Sequence, residues 1–228
     1  MNLSSTYCPT MCRAPPPSTQ PFSVNKCSYK RRTIDRIAAV ETISPSATAL
    51  TKPNFPPPRA RYLILLRHAA SSWDNPSLRD HDRPLSKIGE LDAEKLSGKL
   101  KRLGWVPQLV LCSDAVRSRE TVRCLRLGDE IEVRYVSSFY SVAAMDGETA
   151  EHLKDVVCKY TSDEVTTVMC MGHNKGWEEA ASIFAGTEIE LKTCNAALLE
   201  GNGGTWEEAF ALAGRGGWRL LGIVKPED

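Results

Sequence analysis

The 228-residue sequence predicts an α/β fold, a three-layer α/β/α sandwich with a mostly parallel sheet, over residues 60–228. Strand-length apolar runs alternate with helix-length amphipathic stretches from Arg61 onward, the pattern of helices laid on both faces of such a sheet. Two of those runs, ending at Leu66 and Met171, lead directly into polar loop residues, and in open α/β sheets ligands collect beyond strand carboxyl ends. With 42% hydrophobic and 25% charged residues, the chain can bury one substantial core.

The first strand is read over 61–66 and the first helix over 86–103, with Ile88, Leu91, Leu96, Leu100 and Leu103 on its apolar side. Ser86 suits the N-cap, because its hydroxyl can accept from an otherwise unpaired amide, and Gly104 suits the stop. A second strand over 109–112 precedes a helix over 116–125, and a third strand follows over 131–136. Residues 149–160 read as a helix, 165–171 as a fourth buried strand and 176–184 as a further helix. Strands over 196–200 and 218–224 close the sheet as a hairpin. Between them the Gly-rich stretch 201–217 reads as a solvated connection with a possible helical turn over 206–212.

Residues 1–59 read differently. Up to Ile34 there is no Asp or Glu, while Arg13, Lys26, Lys30, Arg31 and Arg32 stand among many Ser, Thr and Pro, with no continuous apolar h-region. That is the composition of an organellar transit peptide, addressed to a chloroplast, with a mitochondrion as the alternative and an unaddressed disordered tail as the plainer reading. Residues 35–59 carry Ser44-Pro45, Lys52-Pro53 and Pro56-Pro57-Pro58 and extend this disordered leader as a Pro/Ser-rich linker. The net charge of +1 includes five positive charges before Asp35, so the rest of the chain is acidic. No basic patch with interleaved aromatics points to nucleic acid, and no apolar run is long enough to span a bilayer. Three of the eight cysteines lie in the leader; the other five, with no Cys-x-x-Cys, read as free, mostly buried thiols.

The chemistry-bearing residues sit at the predicted strand ends: Arg67-His68 after the first, Ser113 and then Arg117 after the second, Gly172-His173 after the fourth. A phosphoryl group needs a nucleophile, positive donors for its equatorial oxygens and help for the leaving group. A neutral His68 with one ring nitrogen toward phosphorus, its other nitrogen donating to a backbone carbonyl, supplies the nucleophile. Arg67 and Arg117 supply charged forked donors, and His173 completes the pocket as a donor to the phosphoryl oxygens.

These residues, in the order Arg67-His68-Ala69-x-Ser71-Ser72-Trp73-Asp74, Asp80-x-Asp82-Arg83-Pro84-Leu85-Ser86-x-x-Gly89, Gly172-His173-Asn174-x-Gly176 and Trp218-Arg219-Leu220, resemble the histidine phosphatase superfamily, the phosphoglycerate-mutase-like fold, and within it the SixA-type phosphohistidine phosphatases. The similarity runs over 61–226. It implies a phosphatase that works through a phosphohistidine on His68, with Arg67, Arg117 and His173 as catalytic partners and Ser71 and Asn174 as substrate contacts. No metal and no cofactor are expected, and the partner is a phosphorylated protein or a small phosphorylated metabolite. Ala69 replaces the superfamily's Gly, which is tolerable where φ is negative. Ala70 brings no charge to the pocket mouth.

The proton donor is the open assignment: Asp146 and Glu148 fall after the third strand, where superfamily members place an acid, yet each suits a helix cap better. An imidazole leaving group, with a pKa of about 6.5, departs with less help than an alkoxide. Alternatives are a phosphoglycerate-type mutase and a catalytically silent phosphate-binding module. Asp82 and Arg83 are read as a loop charge pair, His81 and His152 as exposed, and Trp73 as packing over the pocket or filling its loop.

Overall fold

A computed structural model describes residues 59–227 except 144 and 146; the transit-peptide and linker reading of the preceding residues and the Asp146 assignment lie outside them. The elements in chain order are β1 (Ala60–Arg67), a 3-10 turn (Asp80–Asp82), α1 (Lys87–Arg102), β2 (Leu109–Cys112), α2 (Val116–Leu125), β3 (Glu132–Tyr135), α3 (Ser138–Val142), α4 (Thr149–Tyr160), β4 (Thr167–Gly172), α5 (Asn174–Ala185), β5 (Ala196–Asn202), α6 (Trp206–Ala213) and β6 (Arg219–Val224). They form a six-stranded sheet in the order β3-β2-β4-β1-β5-β6. Three pairings are parallel and two, β1 with β5 and β5 with β6, antiparallel. The mixed α/β sandwich expected from the alternation is the fold observed.

Period-two alternation along the strands builds both core faces. Leu63, Leu65, Leu109, Leu111, Val168 and Cys170 point to one side, against Leu153 and Val157 of α4, Trp177 and Phe184 of α5, and Trp206 and Phe210 of α6. Ile64, Leu66, Val110, Cys112, Met169 and Met171 point to the other, against Ala93, Leu96 and Leu100 of α1 and Leu125 of α2. The central strands are therefore apolar on both sides, which is why they read as continuous hydrophobic runs. Register completes the arrangement. Leu109 and Tyr62 lie near the same level of β4, and Arg67 sits opposite Gly172, so the carboxyl ends of β1, β2 and β4 coincide.

Several local expectations are corrected. Ser86 does cap α1, accepting from Gly89 N, but Ile88, Leu91 and Leu103 are exposed. The buried stripe is Gly89, Ala93, Leu96, Ser97 and Leu100, because small residues let the start of α1 press on the loop after β1. The stretch 201–217 is not a solvated connection: Trp206 stacks on Trp218 at 6.2 Å and Phe210 lies 5.0 Å from Trp218, deep in the core. The 3-10 turn and α3 escaped the periodicity reading because each is too short to show a repeat. All five described cysteines are free, with Cys112, Cys170 and Cys194 buried and Cys124 and Cys158 half-buried. Among the described residues no helix is long and apolar enough to cross a membrane.

A methyl group at Gly89 would stand 2.2 Å from the backbone oxygen of Ala70. Gly89→Ala is therefore expected to destabilise the protein by about 1–3 kcal/mol through overpacking, exceeding the roughly 1 kcal/mol gained in helix propensity. Urea denaturation measures this, and a more stable variant refutes the close contact.

Candidate active site

The aligned carboxyl ends of β1, β2 and β4 open into a cavity of about 610 Å³ lined by Arg67, His68, Asp80, Arg117, Tyr140 and His173, among others. The backbone sets the two histidines side by side: His68 N donates to Gly172 O at 3.1 Å, and the imidazole centroids are 5.0 Å apart. The loop after β1 is fastened from two directions. Ala69 N donates to Thr121 Oγ1 of α2, and Cys194 N donates to both Arg67 O and His68 O. Ala69 does not have positive φ, so its methyl costs nothing in conformation.

His68 is buried, with Nδ1 2.8 Å from Ala69 O. A carbonyl only accepts, so Nδ1 carries the proton; Nε2 then presents a lone pair, which accepts from Arg117 Nε at 3.1 Å. Burial pushes the imidazolium down to about 4, the carbonyl of Ala69 opposing and the charges of Arg117 and Arg67 reinforcing the shift. His173, the N-cap residue of α5, accepts at Nδ1 from Arg117 Nη2 (3.1 Å) and therefore donates from Nε2 to Ser113 Oγ (2.7 Å). Burial, then His68 and Arg117, hold it well below the ordinary histidine value as well.

Arg117 is the hub. Besides the two imidazoles, it donates from Nη1 to Asp80 O and from Nη2 to Asp80 Oδ2 (2.8 Å). Tyr140 OH donates to the same Oδ2 at 3.0 Å. Arg67 donates from Nη1 to Leu191 O and keeps a buried Nε with no partner among the described residues. The sequence-predicted residues His68, Arg67, Arg117 and His173 thus converge. Ser71, bridged to Leu85, and Asn174, the first residue of α5, line the cavity as well.

Glu148 does not line the cavity; it is exposed at the N-cap position of α4 and makes no side-chain cap. Asp82 pairs with Arg79 and His81 rather than with Arg83, which faces Asp80 at 3.5 Å. His81 and His152 are half-buried: His81 bridges Asp82 and Asp114, and His152 meets Ser138 Oγ at 2.8 Å. Trp73 is 69% exposed at the cavity rim, its ring 3.5 Å from the Arg83 guanidinium carbon, so it fills no loop core. Sequence reasoning missed Asp80 and Tyr140. The available signal was Arg117 itself, since a buried guanidinium requires an anionic or carbonyl partner. Among the described residues no cluster of three or more His, Cys, Asp or Glu could hold a metal.

A family model described as histidine phosphatase superfamily (branch 1) matches residues 63–157. An uncharacterised chloroplastic protein of Arabidopsis thaliana is 60% identical over 173 residues, covering 74% of this chain and 79% of that one. An uncharacterised protein of Mycobacterium leprae is 34% identical over 125 residues, covering 54% and 72%. Among solved structures, a chain from Agrobacterium tumefaciens assigned as a phosphohistidine phosphatase SixA superposes with a TM-score of 0.56 at 25% identity, over 73% of this chain and 98% of that one. The protein histidine phosphatase SixA complexed with tungstate matches in fold with a TM-score of 0.56 at 17% identity, over 72% and 97%.

Because both buried histidines have folded pKa values below the unfolded value of about 6.5, the folded state binds fewer protons, and their contribution to stability is complete above that pH. It is lost as pH falls from about 6.5 toward 4, by about 1.4 kcal/mol per pH unit for each group. His81, raised by Asp114 and Asp82, acts in the opposite sense. Denaturant unfolding between pH 7.5 and 5 is expected to show the decline, and His68→Gln to flatten it by about 1.4 kcal/mol per unit below pH ~6. An unchanged slope in that variant contradicts a buried, neutral His68.

Proposed function

The chain belongs to the histidine phosphatase superfamily, branch 1 and of the SixA type, and from that premise we propose that it is a metal-independent phosphatase working through a phosphohistidine on His68. The observation that carries this reading is the orientation of the His68 ring: Nδ1–H is tied to Ala69 O, which leaves the Nε2 lone pair, now accepting from Arg117 Nε, on a residue that lines the cavity. In that state Nε2 attacks phosphorus, and the bond to the leaving group breaks with its electron pair departing on that group. The guanidinium groups of Arg67 and Arg117 take the equatorial oxygens, supplying without a metal the positive charge the transferred group needs. Arg117 Nε–H donates to Nε2, so phosphorylation of that nitrogen exchanges the contact for one to a phosphoryl oxygen.

His173 has no proton on Nδ1 when it accepts from Arg117. Donation from it to a dianionic phosphoryl group therefore accompanies proton uptake with the substrate, an anion within about 4–6 Å favouring the imidazolium. The second half-reaction is attack of water on the phosphohistidine and departure of phosphate. The substrate is a phosphohistidine protein or a small phosphorylated metabolite. A leaving imidazole suits a cavity in which Asp80, held as a carboxylate, is the sole acidic lining residue among those described.

Residues 1–59 are, in this reading, a leader that delivers the 60–228 domain to the chloroplast. The acid-free composition to Ile34 supports it, and so does the chloroplastic assignment of the 60% identical Arabidopsis protein.

Incubating the full chain with phosphohistidine proteins, sugar phosphates and aryl phosphates tests the chemistry. Phosphate release is expected, with acid-labile phosphate trapped on the enzyme, and His68→Ala should reduce both by at least about 10⁴-fold, as loss of a nucleophile does. Substantial turnover in that variant refutes the mechanism; transfer to a second sugar acid in place of water points to a mutase, and binding without release to a silent module. For the address, residues 1–59 fused to a fluorescent protein are expected to enter chloroplasts, and a mitochondrial or cytosolic signal overturns the assignment.

A further inference from the structure

Asp80 opens one of the motifs that carry the family resemblance without a role attached to it, and it occupies a particular position in the cavity. It is the only carboxylate among the described lining residues, and its side chain is 54% exposed, so water reaches it. Its Oδ2 accepts from Arg117 Nη2 and from Tyr140 OH, and Arg83 Nη1 lies 3.5 Å from Oδ1. The same Arg117 reaches His68 Nε2 and His173 Nδ1, each at 3.1 Å. The carboxylate therefore stands one guanidinium group away from the ring nitrogen proposed to carry phosphate.

The charge state points to a role. Partial burial pushes the Asp80 carboxyl up, but the hydrogen bond and charge of Arg117, the Tyr140 hydroxyl and the charge of Arg83 outweigh it and hold the group below the usual carboxylate range. An ionised carboxylate cannot protonate a leaving group at neutral pH, but it can accept a proton from water. Among the described residues, the titratable and charged groups facing it are Arg117 from α2, Tyr140 from α3, and Arg83 from its own loop; His68 after β1 and His173 before α5 lie across Arg117.

Building on the phosphohistidine reading above, we propose that Asp80 is the general base for hydrolysis of the phosphoenzyme, with Tyr140 as the residue that positions its carboxylate. A water molecule attacks phosphorus as one of its protons passes to Asp80. The P–Nε2 bond breaks, its electron pair returns to the His68 ring, and inorganic phosphate is released. Asp80 then gives its proton to solvent, which restores the carboxylate. The two half-reactions thereby need different things from the cavity: phosphorylation needs the Nε2 lone pair and the arginines, whereas hydrolysis needs Asp80.

That division is measurable with the full chain and p-nitrophenyl phosphate, whose leaving group needs little protonation. Quenched flow reads the first-turnover burst of nitrophenolate, and acid-labile phosphate on His68 reads the phosphoenzyme. Asp80→Asn keeps an acceptor for Arg117 but cannot take a proton. It is expected to lower steady-state turnover by about 100-fold or more, the usual effect of removing a general base. Its burst rate should stay within about threefold of wild type, with nearly one phosphate trapped per enzyme. Asp80→Glu should recover part of the turnover. Tyr140→Phe should shift the acid limb of the steady-state profile upward, because one hydrogen bond to the carboxylate is lost.

The proposal is overturned if Asp80→Asn slows burst and steady state together, or slows neither, or accumulates no phosphoenzyme while wild type forms one on His68. If wild type itself forms no His68 phosphoenzyme, the parent reading falls and this one with it, so the two failures are told apart.

Discussion

A guanidinium removed from water needs polar partners, and the way Arg117 finds them organises the rest of the site. Four hydrogen bonds from its three nitrogens go to His68, His173 and Asp80, residues that arrive from three different stretches of chain. One cation therefore fixes the tautomers of both imidazoles: since Arg117 can only donate, His68 Nε2 and His173 Nδ1 must both accept. The ring nitrogens left over find complementary partners in Ala69 O and Ser113 Oγ. Arg117 is itself held in place by its own backbone, whose carbonyl accepts from Thr121, the residue that also receives Ala69 N.

This arrangement depends on the sheet beneath it. Parallel pairing of β1 and β2 with β4 brings three strand carboxyl ends to one level, and the register Arg67 to Gly172 sets the histidines beside each other. Because those strands are apolar on both faces and covered by helices, the histidines at the site floor are buried. Burial is what depresses the histidine pKa values and keeps Nε2 of His68 unprotonated at neutral pH. Core packing and the neutral state of His68 are thus two consequences of the same burial.

The outer wall of the cavity follows a different logic. Asp80, Trp73 and Arg83 come from the loop between β1 and α1, and Tyr140 from the single turn of α3. These pieces have little regular structure, and they are located by contacts with one another and with Arg117: Arg83 lies against Trp73 and near Asp80, while Tyr140 bonds Asp80 and packs edge-on to His81 and His173. The floor of the site carries the residues proposed to handle the phosphoryl group. The wall supplies water access and a negative charge.

How much of this was legible in advance differs between floor and wall. Strand periodicity, the Ser86 cap and the strand-end Arg67-His68 and Gly172-His173 pairs are local signals, so the sheet, most helix bounds and the four converging residues could be read from the chain itself. The buried face of α1 could not, because Ile88, Leu91 and Leu103 are as apolar as any core residue. Only the approach of Gly89 to the Ala70 backbone decides which side turns inward. Nor could the place of Glu148 outside the cavity or of Asp80 within it be read. A carboxylate carries no sequence mark of which guanidinium it will meet, and Asp80 and Arg117 are 37 residues apart. The sequence by itself determined the sheet, its two apolar faces and the residues at its carboxyl edge, since those rest on short-range periodicity. The tertiary structure alone decided proton positions, pKa shifts and the partner of Arg117, because each is set by burial and by contacts between distant segments.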